Sequence, residues 1–229
     1  MAGRPTDATG LGAVASLSTL TARLSAERLE VLGGFAVDQD EAGLPAGTRT
    51  VLLLGPLEPG FWPHLTAQPE WDGQPDPVDR WSRRVIGRLA CDLGAKALFP
   101  FGGPPYHPFY AWALRTGQVW DSPVRLLVHA RQGLMVSFRG ALALKEAVAV
   151  PAPAPRPCDT CPAPCLTACP AKALTGAGYD VPACHAFLNR AEGQDCMTGG
   201  CQVRRACPLS QSYARLPKQS AYHMRQFHK

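Results

Sequence analysis

CDTCPAPCLTACP, Cys158–Pro170, opens the stretch on which the reading of this chain turns. Its four cysteines follow the spacing C-x2-C-x3-C-x3-C, and a proline comes directly after the last. Cys184, Cys196, Cys201 and Cys207 follow, and Cys207 is again succeeded by proline, Pro208. Eight of the nine cysteines thus lie within fifty residues. Eight thiolates complete two four-cysteine sites, and thiolate is the soft ligand that iron–sulfur clusters select. Closely spaced cysteines let a turn of backbone wrap one side of a metal group, with N–H groups toward the sulfurs. A remote cysteine closes the far corner, and proline after a cysteine limits the local backbone. Structural zinc on four thiolates also uses paired cysteines. A disulfide framework is the third reading, but it belongs to oxidising compartments and short secreted chains. The two Cys-Pro endings favour clusters.

The run resembles that of bacterial-type ferredoxins, C-x2-C-x2-C-x3-C-P, where the fourth cysteine ligates the other cluster. The resemblance implies a module with two [4Fe–4S] clusters. By analogy Cys158, Cys161 and Cys165 share one with Cys207, and Cys169 shares the second with Cys184, Cys196 and Cys201. Two departures bear on the pairing rather than on the count. The middle gap is one residue longer, and the second half runs Cys184-x11-Cys196-x4-Cys201-x5-Cys207. Cys91 lies outside the module in a helical pattern and reads as a buried, small apolar residue.

The 229 residues leave room for one large domain or two small ones. The apolar fraction of 46% is that of an ordinary globular protein. Some 150 residues precede the module, enough to bury a core of their own. Between them 150–157 reads VPAPAPRP, a semi-rigid extended linker. The expected domains are therefore 1–150 and 151–229. The start, MAGRPTDATG, reads as disordered and lacks the apolar core of a signal peptide. No apolar run approaches the ~20 residues that span a bilayer. A soluble, cytoplasmic protein without a membrane partner is expected.

The net charge of +5 is unevenly spread. No acidic residue follows Asp195, while Arg204, Arg205, Arg215, Lys218, Arg225 and Lys229 do, with His223 and His228. This end reads as a solvated, partly disordered tail, or as a docking surface for an acidic electron donor or RNA; a nucleic-acid partner is not expected. No Walker P-loop, G-x-G-x-x-G or serine–histidine–acid arrangement occurs, and Gly102-Gly103 before two prolines reads as a turn.

Taken in order, Leu17, Leu20 and Leu24 predict a helix over about 12–28. Leu29–Val37 reads as a strand broken by Gly33-Gly34. Arg49–Leu54, RTVLLL, is a central buried strand, ended by Gly55-Pro56. A short helix follows at Phe61–Thr66. The clearest helix starts with Asp76 as N-cap and Pro77 at the first position. Val78, Trp81, Val85, Leu89 and Leu93 line its apolar face, and Arg80, Arg83, Arg84 and Arg88 its solvated side. Ala97–Phe101 is a short strand, Phe101–Trp112 a loop rich in glycine, proline and aromatics, and His107–Leu114 part of another helix. Val124–His129 and about Leu134–Leu144 read as antiparallel strands joined by Ala130–Gly133.

Alternating helices and strands make the front part α+β or α/β. DPVDRWSRRVIGRL (Asp76–Leu89), after the strand in Arg49–Leu65, is similar to the cblC-type cobalamin-processing family. LLVHARQGLMVSFRGALAL (Leu126–Leu144) is similar to that family's His-x-Arg-x-Gly-x5-Arg-Gly strand pair, with His129, Arg131, Gly133 and Arg139-Gly140 in order. The same region followed by a two-cluster module also resembles the epoxyqueuosine reductases. The first resemblance covers about 45–150 and the second about 75–210. Together they imply an α+β chain: a modified nitroreductase-like domain, then a small ferredoxin-type domain. They imply cobalamin as a cofactor, with Tyr106, His107, Phe109 and Trp112 offering flat faces to the macrocycle. His129, Phe138 and Arg139 carry over as wall or phosphate and amide contacts. The residues also have plainer readings: aromatics as packing, His129 as a satisfied core histidine, Arg139 as partner of a carboxylate.

Phe101 stands where epoxyqueuosine reductases carry a catalytic aspartate, and Ala130 where the cblC type has proline. The helical-repeat domain that would hold tRNA is missing, so epoxyqueuosine reduction is not expected. No catalytic residue is singled out. The resemblance implies an iron–sulfur reductase passing electrons to a bound corrinoid, or through it to a substrate. Its electron donor would be a flavodoxin, a ferredoxin or a flavin reductase. The alternative is a ferredoxin-type carrier whose front domain only docks partners; a flavin-binding reductase is a third reading.

Overall fold

The structure is a computed structural model that describes residues 17–229. The expectations for 1–10 and for the first turn of a helix from residue 12 lie outside the described residues. Helix α1 (Leu17–Ala26) leads into strand β1 (Leu29–Ala36), which pairs antiparallel with β2 (Thr50–Pro56). Every residue of β2 is buried. Successive side chains of a strand face opposite ways, so Leu52 and Leu54 enter one core and Val51 and Leu53 another. A strand covered on both faces needs an apolar residue at each place, and TVLLL supplies it. Gly55 and Pro56 remain within the strand instead of ending it.

Gly33 and Gly34 do not break β1; the register shifts there by a bulge. A Cβ on Gly33 would lie 2.6 Å from the Thr116 Cβ, and one on Gly34 2.8 Å from the Val51 carbonyl. Both glycines therefore serve close approach.

Helices α2 (Phe61–Thr66) and α3 (Pro77–Asp92) join α1 over one face of the sheet. Trp81 is wholly buried there, edge-on to Phe61 at 5.5 Å. Asp76 is a correction: it takes a left-handed φ of 52° and its side chain makes no cap, while Pro77 does open the helix. Cys91 is a second correction, being exposed on the outer side of α3. Arg80 and Arg84 pair with Asp72 and Glu70 on that side. Strand β3 is limited to Lys96–Leu98, and α4 (Phe109–Arg115) covers the opposite sheet face with Phe109, Trp112 and Ala113.

The expected hairpin of 124–129 and 134–144 is not formed. Strand β4 (Val119–Asp121), unforeseen, pairs with β5 (Leu127–His129), and β6 (Gly140–Leu144) pairs with β2 and β3. The sheet order is β1-β2-β6-β3, antiparallel throughout. Only one bridge, His129 with Gly133, remains of the hairpin. The reason lies in the C-terminal part. Leu134 N–H donates to Ser210 Oγ at 2.9 Å, and Arg204 and Arg215 donate to the Leu134 and Met135 carbonyls. The backbone groups a ladder would use are already taken.

Residues 150–157 lie along β4 as a strap, with Ala154 N–H on the Gly117 carbonyl at 2.9 Å and Arg156 on the Asp121 carbonyl at 2.8 Å. Beyond a 3-10 turn (Pro164–Leu166) come the two-residue strands β7 (Leu174–Thr175) and β8 (Gly178–Tyr179). Helices α5 (Val181–Leu188), α6 (Gln194–Gly199), α7 (Gln202–Ala206), α8 (Pro208–Ser212) and α9 (Pro217–Phe227) follow. The solvated tail is corrected too: α9 is helical, buries Gln219, Ser220 and Ala221, and sets Tyr222 against Trp62 and Trp71, each 5.3 Å away. A third core joins both parts of the chain: Val124, Val128 and Leu134 with Cys165, Leu174, Val203 and Cys207. No helix among the described residues is long and apolar enough to cross a membrane.

Candidate metal centre

The eight cysteines of the module face two spaces. Cys158, Cys161, Cys165 and Cys207 line a small one of about 20 Å³. Cys169, Cys184, Cys196 and Cys201 line a cavity of about 330 Å³ that reaches Met135–Ser137 and Arg139.

Local structure aims each sulfur. The 3-10 turn after left-handed Ala163 presents Cys165, whose sulfur meets the N–H groups of Cys165 and Leu166. Cys207 stands between α7 and α8, where Pro208 opens the next helix. Asp180 caps α5 by accepting from Ala183 N–H at 2.9 Å, which fixes the turn carrying Cys184. Tyr179 donates its hydroxyl to Cys184 Sγ at 3.4 Å, and Gln202 N–H faces Cys196 Sγ.

Burial pushes the thiols of Cys158, Cys165, Cys184 and Cys196 up, and neighbouring sulfurs push the same way. For Cys158 those neighbours are Cys161, Cys165 and Cys207; for Cys184 they are Cys201 and Cys169. Four crowded thiols cannot all ionise without a cation among them, and binding one releases their protons. Among the described residues no three His, Cys, Asp or Glu side chains stand close enough for a single metal ion. A cubane holds its four cysteines farther apart than one ion does, because its own iron and sulfide lie between them. The residues fit such a group by their donor chemistry: four soft sulfurs per set, N–H groups at two of them, and no carboxylate in either lining.

Of the seven residues expected to touch a corrin, His107, Trp112, Phe109 and Phe138 form one run of ring contacts at the second core, while Tyr106, His129 and Arg139 stand apart from it. His129 is buried in the core; its Nε2–H donates to the Leu32 carbonyl at 2.9 Å, and Nδ1 accepts from Arg131 and Gln132 N–H at 3.1 and 3.2 Å. Burial, aided by the Arg131 charge, pushes it down to about 4. Phe138 packs against the second core, 6.2 Å from Phe109. Tyr106 is 64% exposed, and His107 stacks on Trp112 at 5.5 Å. Arg139 alone reaches the cavity, with Nη1 3.7 Å from Asp79.

The same cavity is lined by residues not expected there: Arg204, Arg215, His223 and Tyr179. Burial first, then the three arginines, pushes His223 down to about 2, so it is neutral. The sequence marked none of these residues as inward-facing. With no acid after Asp195, any of these arginines that turned inward had no carboxylate in its own segment to pair with. Gly133 was missed as a contact. It has a φ of 56°, and a Cβ on it would lie 2.6 Å from Ser210 N and 2.9 Å from Cys207 Sγ. Only glycine lets the 129–135 turn rest against α8.

No family model matches the chain, and no curated protein and no solved structure matches it.

Proposed function

We propose that this chain is an iron–sulfur electron-transfer protein whose module holds two [4Fe–4S] clusters of ferredoxin type. The carrying observation is the division of eight sulfurs into two sets of four, each facing its own space. The division follows the pairing that the ferredoxin resemblance implies. Such a group supplies one-electron reduction when bound. The chain's own residues bury Cys165, Cys196 and Cys207 and half-bury the other five, point N–H groups at Cys165 and Cys196, and hold positive charge beside the second set.

The cavity gives the function its direction. Cys169, Cys184, Cys196 and Cys201 share it with Met135–Ser137 and Arg139 of the front part, so an acceptor held there touches both parts of the chain. We read the protein as a reductase of a bound acceptor, fed by a flavodoxin, a ferredoxin or a flavin reductase. A corrinoid is the acceptor that the cblC-type resemblance suggests, in a nitroreductase-like front domain, and Arg139 is the residue that supports it. The cavity's volume of about 330 Å³ is at the low end for small-molecule sites. The cluster on the four cysteines takes part of that volume, so a corrinoid requires α9 or residues 135–139 to move aside.

Anaerobic purification with iron and sulfide analysis tests the reading. About eight irons and matching sulfide per chain are expected. Zinc without sulfide would overturn it. Hydroxocobalamin added to the reduced protein then tests the acceptor: a base-off cobalt(II) spectrum supports the corrinoid, and an unperturbed spectrum leaves the carrier function.

A further inference from the structure

Three guanidinium groups, Arg139, Arg204 and Arg215, face the cavity that four cysteine sulfurs share. Arg204 donates to the Leu134 carbonyl, and Arg215 to the Met135 carbonyl at 3.2 Å. Among the described residues neither has a carboxylate within ion-pair distance. The Nε of Arg139 and of Arg215 is buried without any hydrogen-bond partner. Arg139 has Asp79 at 3.7 Å, and Glu58, farther off, acts favourably on Arg215. An uncompensated buried charge is strongly unfavourable, so something must offset these cations. His223 is neutral and cannot. The groups acting favourably on Arg204 are Cys201 and Tyr179. Of the three, Arg204 is the one whose negative side is a cysteine of this cavity, Cys201.

The other sulfur set has no such neighbours. Its space is lined by Ser122, prolines and apolar side chains, with no basic residue. The cation nearest in effect is Arg156, which lowers Cys158. Its side chain is 43% exposed and lies 3.6 Å from Asp159, so solvent and a partner screen it.

We propose that Arg204, backed by Arg215 and Arg139, is a positioning residue that raises the reduction potential at Cys169, Cys184, Cys196 and Cys201 above that at the other four cysteines. The inference rests on the cluster reading above. Reduction adds one electron and changes no bond, so the set gains one unit of negative charge. Buried cations stabilise that gain, and cluster potentials respond to local charge, hydrogen bonds to sulfur and solvent exposure. The cysteine set on the larger cavity is then the electron-accepting one, and the set on the smaller space the donating one.

The test is a dithionite titration of the anaerobically loaded full chain, followed by electron paramagnetic resonance. The wild-type chain is expected to give two separable midpoints. Arg204→Gln should lower the upper one so that the oxidised-to-reduced ratio at fixed potential rises about tenfold, about 59 mV for a one-electron couple. Arg204→Lys should restore most of it, and Arg156→Gln should leave the upper midpoint in place. Full iron and sulfide with both midpoints unmoved in Arg204→Gln would overturn the inference while leaving the cluster reading intact. A wild-type chain without iron and sulfide would remove the cluster reading and the inference with it. If Arg204→Gln fails to hold iron, Arg215→Gln carries the test in the same direction, and an unmoved midpoint there overturns it.

Discussion

Lowering the pH should loosen the front core through His129. The ring is 1% exposed, and its bonds fix the tautomer: Nε2–H donates to Leu32, while Nδ1 accepts from two backbone N–H groups. A proton on Nδ1 would face two donors in a buried place. The folded value is about 4, against about 6.5 when unfolded. Because the folded value is the lower one, the unfolded chain takes up the proton first. Stability from this group is therefore full above about pH 6.5 and is lost as the pH falls toward 4. The whole loss is about 3 kcal/mol, and the part between pH 7.5 and 5.5 is about 1.3 kcal/mol. The assay is urea unfolding under argon at both pH values, read from the buried Trp81 and Trp112. The comparison is His129→Asn, whose amide oxygen can accept from the same two N–H groups but does not titrate. It should start about 1–3 kcal/mol lower, for the lost bond to Leu32, and should show about 1.3 kcal/mol less pH-dependent loss. An Asn variant that weakens as much as the wild type over this range would refute the reasoning.

Three further outcomes are expected. Gly133→Ala should cost about 2 kcal/mol or more, for its left-handed φ and for the clash with Ser210 and Cys207, and should lower iron retention; a stable variant with full iron would show that the turn relaxes freely. Cys207→Ala should leave about four of about eight irons and uncover the third core; full iron content would mean that the cysteines pair otherwise. Asp180→Ala should cost about 1 kcal/mol through loss of the α5 cap, measured as a lower urea midpoint in the loaded chain.

Much of the front part was legible because local pattern and burial agree there. RTVLLL could only be a strand covered on both sides, and the three- and four-residue spacing from Val78 to Leu89 could only be an amphipathic helix. Cys91 follows the same rule: it sits two residues past Leu89, so the periodicity that buries Leu89 turns Cys91 outward. Asp76 and the Gly33-Gly34 bulge show residue type losing to backbone geometry. The largest misreading, the hairpin after Val124, had a non-local cause. Ser210, Arg204 and Arg215 are more than sixty residues away in sequence, yet they take the backbone groups of Leu134 and Met135. No local pattern announces that. The cysteine spacing was legible as a metal site, whereas the arginines beside it looked like surface charge, since a basic run carries no mark of which members turn inward.

The third core also bears on how this chain can change over generations. Val124, Val128 and Leu134 are covered by Leu174, Val203 and two of the cysteines, and the strap across 150–157 is hydrogen-bonded to β4. A recombination break placed in that proline-rich strap would look harmless in the sequence. It would nevertheless strand three apolar side chains unless the incoming segment brought matching ones, with a hydroxyl where Ser210 stands. The two parts should therefore exchange only as one unit, with the residues that tie them together changed as a set.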